Sequence, residues 1–276
     1  MQCKDLSITI MANNVDSVIS SNDEKVAHML SIATFNCRGF NFTKSSYIDR
    51  LLSSCDVLFL QEHWLSDSQL FQLGKININF SSHAICGFDN NEVLSGRPYG
   101  GCAILWRSDI LVRVETIHTN SRRVCSIKMC SDIWSILFIN VYMPYEDGDE
   151  HYDDFCVQLS IIDCLISQNT DCHIVIDGDF NVYLSRNWAH TKLLVDFCDN
   201  LSLEQSIRHT ANRVDYTYNF NNVRFNVFDY FIMSGVLFEH AVLSIDAIHD
   251  GDNLSDHDPV FMKLNTGSWS DRLSPS

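Results

Sequence analysis

The apolar segments of this chain are short. The longest runs, such as Ile133–Val141 and His173–Ile176, have the length of a strand, and none approaches the roughly 20 apolar residues of a membrane span. With 276 residues, of which 46% are hydrophobic, the chain can bury roughly three-quarters of its unfolded surface in one domain. These features predict a single α/β domain without a membrane partner.

Short strands alternate with a few amphipathic helices. A β-α-β unit is predicted from Ile32–Asn36, Ser45–Ser53 and Val57–Gln61. The later strands are predicted at Cys102–Trp106, Leu111–Ile117, Val124–Met129, Ile133–Tyr142, His173–Ile176 and Val260–Leu264, and the later helices at His151–Ser167 and Lys192–Asn200. The four strands between residues 102 and 142 have the short connections of an antiparallel meander. This mixture favours two sheets packed face to face with helices outside.

A hairpin and two tails complete the organisation. Tyr216–Phe220 and Val223–Ile232 are expected to turn at Asn221 and Asn222, since asparagine tolerates a positive φ. Residues 1–29 and 266–276 are polar and are expected to be loose tails, which leaves 30–265 as the domain. The beginning of the chain lacks a secretory signal, and the 11 cysteines form no C-x-x-C pair. We therefore expect a protein that is not secreted.

The charge limits how the chain can meet nucleic acid. It has 19 Lys and Arg against 35 Asp and Glu, a net charge of −16, which repels a polyanion at long range. A protein that binds DNA through a broad basic surface is disfavoured. An enzyme that contacts DNA locally, through a metal ion and a few cations, remains possible.

Eight polar residues share one property: each lies at or just beyond the end of an apolar strand. They are Asn36, Glu62, Tyr142, Asp179, Asn181, Asp229, Asp256 and His257. Strand ends are where a sheet gathers a site from distant positions.

Each of these residues has a functional and a structural interpretation. Glu62, after an apolar strand, is either a Mg²⁺ ligand or a carboxylate facing water. Asp179 and Asn181 are two residues apart, and in an extended backbone their side chains would lie on the same side. They would then contact a water bound at a phosphate, whereas the structural interpretation of Asp179 is an Asx turn. Tyr142 either serves a functional site or is an ordinary aromatic strand residue. Asn36 either serves a functional site or is a turn residue at the end of a strand.

His257 requires a distant partner, because the side chain of its neighbour Asp256 diverges from it. Asp229, which lies between apolar residues on a predicted central strand, is the best candidate to fix its tautomer and hold its proton. A lone histidine is more often structural.

Six motifs in order resemble those of the endonuclease/exonuclease/phosphatase superfamily, also called DNase I-like. They are Asn36-Cys37-Arg38-Gly39, Gln61-Glu62, Asn140-Val141-Tyr142-Met143-Pro144, Gly178-Asp179-Phe180-Asn181, Phe228-Asp229-Tyr230 and Ser255-Asp256-His257. The resemblance spans about residues 32–264. It implies a four-layered α/β sandwich with two mixed, mostly antiparallel sheets.

The resemblance also implies a role for each matching residue. Glu62, with Asn36 and Asp256, would bind Mg²⁺, or Mn²⁺ in its place. Asp179 would orient and deprotonate the attacking water, and Asn181 would hold that water or a phosphate oxygen. Tyr142 would donate a hydrogen bond to the phosphate or to the leaving oxygen. His257, kept cationic by Asp229, would stabilise the negative charge that develops at the phosphorus.

Other segments are similar to the endonuclease domains of LINE-like (non-LTR) retrotransposons, namely Leu60–Leu65, Arg97–Trp106 and Asn140–Tyr145. That likeness implies a nick in double-stranded DNA whose 3′-hydroxyl primes reverse transcription, a reverse transcriptase domain as partner in a longer polyprotein, and action in the nucleus after cytoplasmic synthesis. Abasic-site enzymes have a tryptophan where this chain has Asn226, which makes a lesion-specific role doubtful.

Four residues are weaker candidates for contact with DNA. Asn221, Asn222 and Arg224, in the predicted hairpin, could sense the width of the minor groove, although a plain turn is the simpler interpretation. Arg122 could touch a phosphate or could be solvated beside Arg123. Two other functions stay open: a phosphatase or phosphodiesterase acting on a small molecule or lipid, and a catalytically silent interaction module.

Overall fold

The computed structural model describes residues 29–88, 98–145, 149–220 and 223–267. Short 3-10 helices lie at Asp67–Lys75 and Ser206–Arg208. The strands and α-helices are, in chain order, β1 (Met29–Asn36), α1 (Phe42–Leu52), β2 (Val57–Gln61), β3 (Phe80–Ile85), β4 (Cys102–Arg107), β5 (Arg113–Ile117), β6 (Val124–Cys130), β7 (Ser135–Tyr142), α2 (Asp149–Gln168), β8 (His173–Asp179), α3 (Ala189–Asn200), β9 (Leu203–Gln205), β10 (Tyr218–Phe220), β11 (Val223–Asn226), β12 (Asp229–Ser234), α4 (Gly235–His240), β13 (Val242–Ala247) and β14 (Val260–Asn265).

The strands form two six-stranded sheets and a separate hairpin. The first sheet has the order β13-β14-β1-β2-β4-β3, the second β5-β6-β7-β8-β12-β9, and the hairpin is β10-β11. β1 pairs with β2 in parallel, as β7 does with β8, and the other ladders of the described sheets are antiparallel. Helices α1 and α2 connect the two parallel pairs, because parallel strands need a crossover. This arrangement confirms the predicted sandwich of mixed, mostly antiparallel sheets.

Alternation along the strands builds the layers. On β2, Val57 and Phe59 face the core between the sheets, whereas Leu58 and Leu60 belong to the cluster that also contains residues of α1. Phe59 meets Phe138 of β7 across the sheets, with ring centroids 5.6 Å apart. The second sheet packs its outer face on α2 and α3. Because side chains alternate with a period of two, each central strand supplies two apolar layers.

Two predicted features are wrong. The strand at 102–106 does not join a meander with the three that follow, since β4 lies in the first sheet and β5, β6 and β7 lie in the second. The segment 223–232 is not one strand, because β11 ends at Asn226 and β12 begins at Asp229. The backbone N–H of Phe228 turns instead to the hydroxyl of Thr217, 2.9 Å away.

The sequence pattern missed three peripheral strands, β3, β9 and β13. β3 and β9 lie at sheet edges, and so does β13. The side chains of β3 are mostly half-buried, so they show no alternation of apolar and polar residues. The predicted tails lie almost entirely outside the described residues, and so do Asn221 and Asn222.

The cysteines and helices of the described residues fit their surroundings. Every cysteine there is a free thiol, and six of them are buried. None of the helices in this part of the chain combines the length and apolarity needed to cross a bilayer.

Candidate active site

The inner faces of the central strands change from apolar to polar toward one end of the sandwich. On β8, Val175 belongs to the central core, and the same face continues with Asp177 and Asp179. On β1 that face ends with Thr34 and Asn36, both fully buried. Since β1, β2, β7 and β8 run in two parallel pairs, their carboxyl ends gather these polar side chains at one edge.

A polar layer separates this edge from the apolar core. The side-chain amide of Gln61 donates hydrogen bonds to Thr34 Oγ1 at 2.9 Å and to Asn140 Oδ1 at 2.7 Å. Asn140 in turn donates to the carbonyl oxygens of Leu60 and Ala103, at 3.0 and 2.8 Å. These bonds fix β7 against β2 and β4, and so hold the two sheets in register beneath the site.

A cavity of about 390 Å³ opens above this layer. Five of the predicted site residues line it: Glu62, Asp179, Asn181, Asp256 and His257. Its other lining residues are Arg38, Tyr145, Tyr183, Tyr218 and Phe228. The structure therefore brings residues from five of the six motifs to one cleft.

Asn36 connects two of the acidic residues from behind the cavity. Its side-chain nitrogen donates to Asp179 Oδ2 at 2.9 Å and to Glu62 Oε1 at 3.2 Å. Its side-chain oxygen accepts the backbone N–H of Arg38 at 3.1 Å. Asn36 therefore presents its nitrogen to the two carboxylates, and its predicted help in binding a metal ion stays a prediction.

Glu62 is held from a second side by Trp64. The indole Nε1 of Trp64 donates to Glu62 Oε2 at 2.9 Å, and both residues have left-handed φ angles, 54° for Glu62 and 61° for Trp64. The Trp64 ring lies over Gly39, where an added Cβ would come within 2.3 Å of it. Glycine at position 39 is thus required for the close approach that positions the Glu62 carboxylate.

Asp179 takes part in an Asx turn and also faces the site. Its Oδ1 accepts the backbone N–H of Asn181 at 3.0 Å, while Oδ2 faces Asn36. Asn181 has a φ of 54°, so the assumed extended backbone between the two residues is wrong. The side-chain nitrogen of Asn181 donates to the Met143 carbonyl at 2.9 Å. The structural and functional interpretations of Asp179 are therefore compatible.

His257 lies between two carboxylates. Its Nδ1 is 2.8 Å from Asp229 Oδ2, and its Nε2 is 3.8 Å from Asp179 Oδ2. Burial opposes a charge on His257, but the carboxylates of Asp229 and Asp179 outweigh burial and raise its pKa to about 10. The same burial raises the pKa of Asp179, which the positive charge of His257 lowers. At neutral pH the buried group therefore contains an imidazolium.

Tyr142 borders the site behind Glu62. Burial raises the pKa of its hydroxyl, and the charges of Glu62 and Asp179 raise it further. The guanidinium of Arg123 lies 5.4 Å from the centre of its ring, and Arg123 pairs with Asp154. Tyr142 therefore keeps its proton and can donate a hydrogen bond.

Two further predicted residues have clear positions. Asp256 forms an ion pair with Arg38 through Oδ2. Arg122 is exposed and does not line the cavity. The backbone of Arg224 lies in β11, and Asn221 and Asn222 fall outside the described residues. The predicted contacts of Arg122, Asn221, Asn222 and Arg224 with DNA stay predictions.

The residues present fit a divalent cation. Asp256 Oδ1 is buried and, in the described part of the chain, has no hydrogen-bond partner, which leaves a carboxylate oxygen for a ligand. Glu62 lines the same cavity, and Mg²⁺ prefers carboxylate oxygens. Asp179, Asp229 and His257 also offer ligand atoms within 4.8 Å of one another. However, a protonated His257 cannot be a ligand, so Glu62 and Asp256 are the better ligands.

Sequence reasoning missed the aromatic wall of the cavity. Tyr145, Tyr183, Tyr218 and Phe228 follow strand ends in loops or in the small hairpin, where no periodicity marks them. Tyr218 packs against the His257 ring, with centroids 4.8 Å apart. Trp64 was noted only as part of a motif, although it binds Glu62 directly. Contacts of this kind become visible only in three dimensions.

A sandwich of two mixed sheets, with carboxylates and a buried imidazolium at the carboxyl ends of its central strands, defines the class of nucleases and phosphatases that act on phosphate esters. Residues 33–257 match the model of the Endonuclease/Exonuclease/phosphatase family. The chain belongs to this family.

Solved structures show the same fold at low sequence identity. An AP endonuclease from Archaeoglobus fulgidus has a TM-score of 0.66 and 18% identity, covering 84% of this chain and 98% of its own. The endonuclease domain of TRAS1, a telomere-specific non-LTR retrotransposon, has a TM-score of 0.63 and 12% identity, covering 86% of this chain and 99% of its own. The 3′ phosphatase NExo from Neisseria, bound to a product DNA hairpin, has a TM-score of 0.65 and 17% identity, covering 85% of this chain and 99% of its own. No curated protein matches the chain significantly by sequence.

Proposed function

We propose that this chain is a Mg²⁺-dependent endonuclease that nicks double-stranded DNA and leaves a 3′-hydroxyl that primes target-site reverse transcription of a retroelement. The observation that carries the proposal is the meeting of Glu62, Asp179 and His257 in one cavity, with Asp229 behind His257 at 2.8 Å. Hydrolysis of a phosphodiester requires an oriented water, stabilisation of negative charge on phosphorus and protonation of the leaving oxygen.

Asp179 is the residue that takes the proton. In its carboxylate form it accepts a proton from a water that attacks phosphorus, while Asn36 and the Asn181 backbone N–H keep the carboxylate in place. The P–O3′ bond breaks, the water oxygen stays on the 5′-phosphate, and the 3′-oxygen leaves and takes a proton from the solvent, to which Asp179 then releases the proton that it accepted. The positive charge of His257 favours the carboxylate form of Asp179, since the two groups are 3.8 Å apart.

Two other groups stabilise the charge that develops. His257 is cationic and faces the cavity, so it offsets negative charge on the phosphate oxygens. The Tyr142 hydroxyl keeps its proton and would donate to the phosphate or to the leaving oxygen. Bound Mg²⁺, held by Glu62 and Asp256, would supply further neutralisation of the phosphate charge.

The finer parts of the proposal rest on resemblance. The segments at 60–65, 97–106 and 140–145 are similar to LINE-like endonuclease domains, and the fold is similar to that of the TRAS1 domain. They support a reverse transcriptase domain as the partner in a longer polyprotein and the nucleus as the site of action. The net charge of −16 favours a brief, local contact with DNA over tight binding.

Supercoiled plasmid tests the proposal. With Mg²⁺ the protein should convert plasmid to open circles, EDTA should stop the reaction, and a DNA polymerase should extend the nicks because they end in a 3′-hydroxyl. Asp179→Asn and His257→Ala should each slow nicking by roughly 10²–10⁴-fold. Asp163→Asn, an exposed carboxylate on α2, is the matched control and should nick as the wild type does.

Three outcomes would overturn the proposal. If the Asp179 and His257 variants nicked plasmid as fast as the wild type does, the activity would come from a contaminating protein. Fast hydrolysis of a small soluble phosphodiester together with intact plasmid would identify a small-molecule phosphodiesterase. Absence of any hydrolysis, together with no heat of Mg²⁺ binding in calorimetry, would identify a catalytically silent module.

A further inference from the structure

An arginine packs against two aromatic rings in the segment that follows Asp179 and Asn181 in the sequence. The guanidinium carbon of Arg186 is 4.3 Å from the ring centre of Tyr183 and 4.4 Å from that of Trp188. The two rings are 5.1 Å apart at 67°. We call Tyr183, Arg186 and Trp188 the arginine–aromatic platform.

The platform is continuous with the cavity. Tyr183 lines the cavity together with Asp179 and His257, and its ring packs edge-on against Phe228 at 4.9 Å. From Tyr183 the platform extends outward to Arg186 and Trp188. The Trp188 side chain remains 38% exposed although it is a large apolar residue. A flat ring is therefore open to solvent beside the residues that would hold the scissile phosphate.

The charge of Arg186 is not neutralised within the described residues. Arg38, Arg50 and Arg123 each pair with an aspartate. Arg186 is exposed and, in the parts of the chain that the structure describes, makes no ion pair with a carboxylate. Its contacts with the two rings hold the guanidinium in place but leave its N–H groups for an anion.

We propose that the platform binds an unpaired nucleotide adjoining the scissile phosphate, with its base stacked on Trp188 and its phosphate contacting Arg186. The proposal rests on the proposed function and specifies its substrate: DNA that is locally unpaired beside the nick. A paired base inside a duplex has both faces covered by its stacked neighbours, whereas an unpaired base presents a free face that can stack on an aromatic side chain.

The overall charge makes such a contact important. Stacking on an aromatic ring does not depend on net charge, whereas attraction of duplex DNA does, and here the protein is strongly acidic. A stacked base therefore provides affinity that the surface as a whole cannot provide. We expect the enzyme to prefer a duplex with a short bubble or a frayed end over a fully paired one.

Binding is measured without turnover, in EDTA, with a single-stranded oligodeoxynucleotide that contains the fluorescent base 2-aminopurine. Stacking quenches this fluorophore, so the wild type should quench it, and Trp188→Ala should weaken binding by roughly 10-fold and abolish the quenching. Trp188→Phe should retain most of both effects, and Arg186→Gln should weaken binding and reduce its salt dependence.

Phe71 provides the matched control. It is 58% exposed, carries the Lys75 ammonium over its ring at 4.4 Å, and does not line the cavity. Phe71→Ala should bind and quench as the wild type does. Since Trp188 and Phe71 are both exposed, neither substitution should alter the thermal melting of the protein by more than a few degrees.

Nicking then tests the preference directly. The ratio of the rates on a bubble duplex and on the same duplex fully paired should exceed one for the wild type and fall toward one for Trp188→Ala. Unchanged quenching by Trp188→Ala, or an unchanged ratio, would overturn the platform. Quenching that depends on Trp188, in a wild type that hydrolyses no DNA, would support the platform and contradict the proposed nickase.

Discussion

His257 and Asp229 form a buried pair in which Nδ1 of the imidazole lies 2.8 Å from Oδ2 of the carboxylate. Asp229 begins β12 and His257 precedes β14, so the pair joins the two sheets at the edge where the cavity opens. Because Asp229 is fully buried, its charge acts on His257 without screening by water. The pair therefore sets the protonation state of the site.

Asp229→Asn should show the effect of the Asp229 charge on His257 without changing the size of the side chain. The amide fills the same space but removes the negative charge that raises the His257 pKa to about 10. We expect His257 to lose its proton at a lower pH, the alkaline limb of the pH–rate profile for plasmid nicking to move toward neutral pH, and the rate to fall by roughly 10²-fold. A profile identical to that of the wild type would contradict a cationic role for His257.

Asp177→Asn should stabilise the protein at neutral pH. Burial raises the pKa of Asp177 well above its ordinary value, so the folded protein holds a proton that the unfolded chain releases above about pH 4. Its contribution to stability is present below that pH and is lost as the pH rises. The free energy of unfolding in urea should therefore be higher at pH 7 in the variant than in the wild type, and the difference should shrink as the pH falls toward 4.

Asp171→Asn is the control with the opposite sign. Asp171 is exposed, and a hydrogen bond from Lys128 lowers its pKa, so its charge is favoured in the folded state. This substitution should leave the stability at pH 7 unchanged or slightly reduced. If both variants shifted the free energy of unfolding in the same direction, burial of Asp177 would not be the cause.

His63 should make stability depend on pH below neutrality. Burial lowers its pKa to about 4, and the neutral ring accepts the Leu65 N–H at Nδ1 while Nε2 faces the Ile85 carbonyl. The unfolded chain binds the proton from about pH 6.5 downward, so the contribution of His63 is complete above that pH and is lost as the pH falls toward 4. Urea unfolding should show a slope up to about 1.4 kcal/mol per pH unit steeper in the wild type than in His63→Gln.

Gly178→Ala should be strongly destabilising. Gly178 has a φ of 132°, and an added Cβ would lie 2.0 Å from the Val141 carbonyl oxygen on the neighbouring strand. We expect a loss of about 3 kcal/mol or more, measured by urea unfolding. Gly251→Ala is the matched control, since nothing lies within 4 Å of its Cβ position. Equal stability of the two variants would show that β7 and β8 can move apart at little cost.

Much of the fold could be predicted because the central strands are locally consistent. β2 follows from a short continuous apolar run and the helix that precedes it from apolar spacing, and the motif segments lie at the edge where they were expected. The edge strands could not be found this way, since a strand such as β3, with half-buried side chains, carries little hydrophobic pattern. Edge strands form because a neighbouring strand supplies their hydrogen bonds.

The candidate site was predictable in its residue types and less so in its contacts. Strand-end carboxylates indicated where polar chemistry would gather, and the pairing of His257 with Asp229 is present. The Trp64 bond to Glu62, the role of Asn36 as a donor and the platform at Arg186 were not predicted. Each depends on a backbone turn or on a close approach between loops, which have no periodic signature.

The sequence by itself determined that apolar strands would end in carboxylates, amides and one histidine, because alternation and turn chemistry act over a few residues. Only the tertiary structure decided which of these groups meet: Asn36 and Asp179 are 143 positions apart, yet their side chains lie 2.9 Å from each other. The reason is that proximity over such a distance depends on how two sheets pack face to face, and packing shifts the pKa of each buried group through the neighbours it provides.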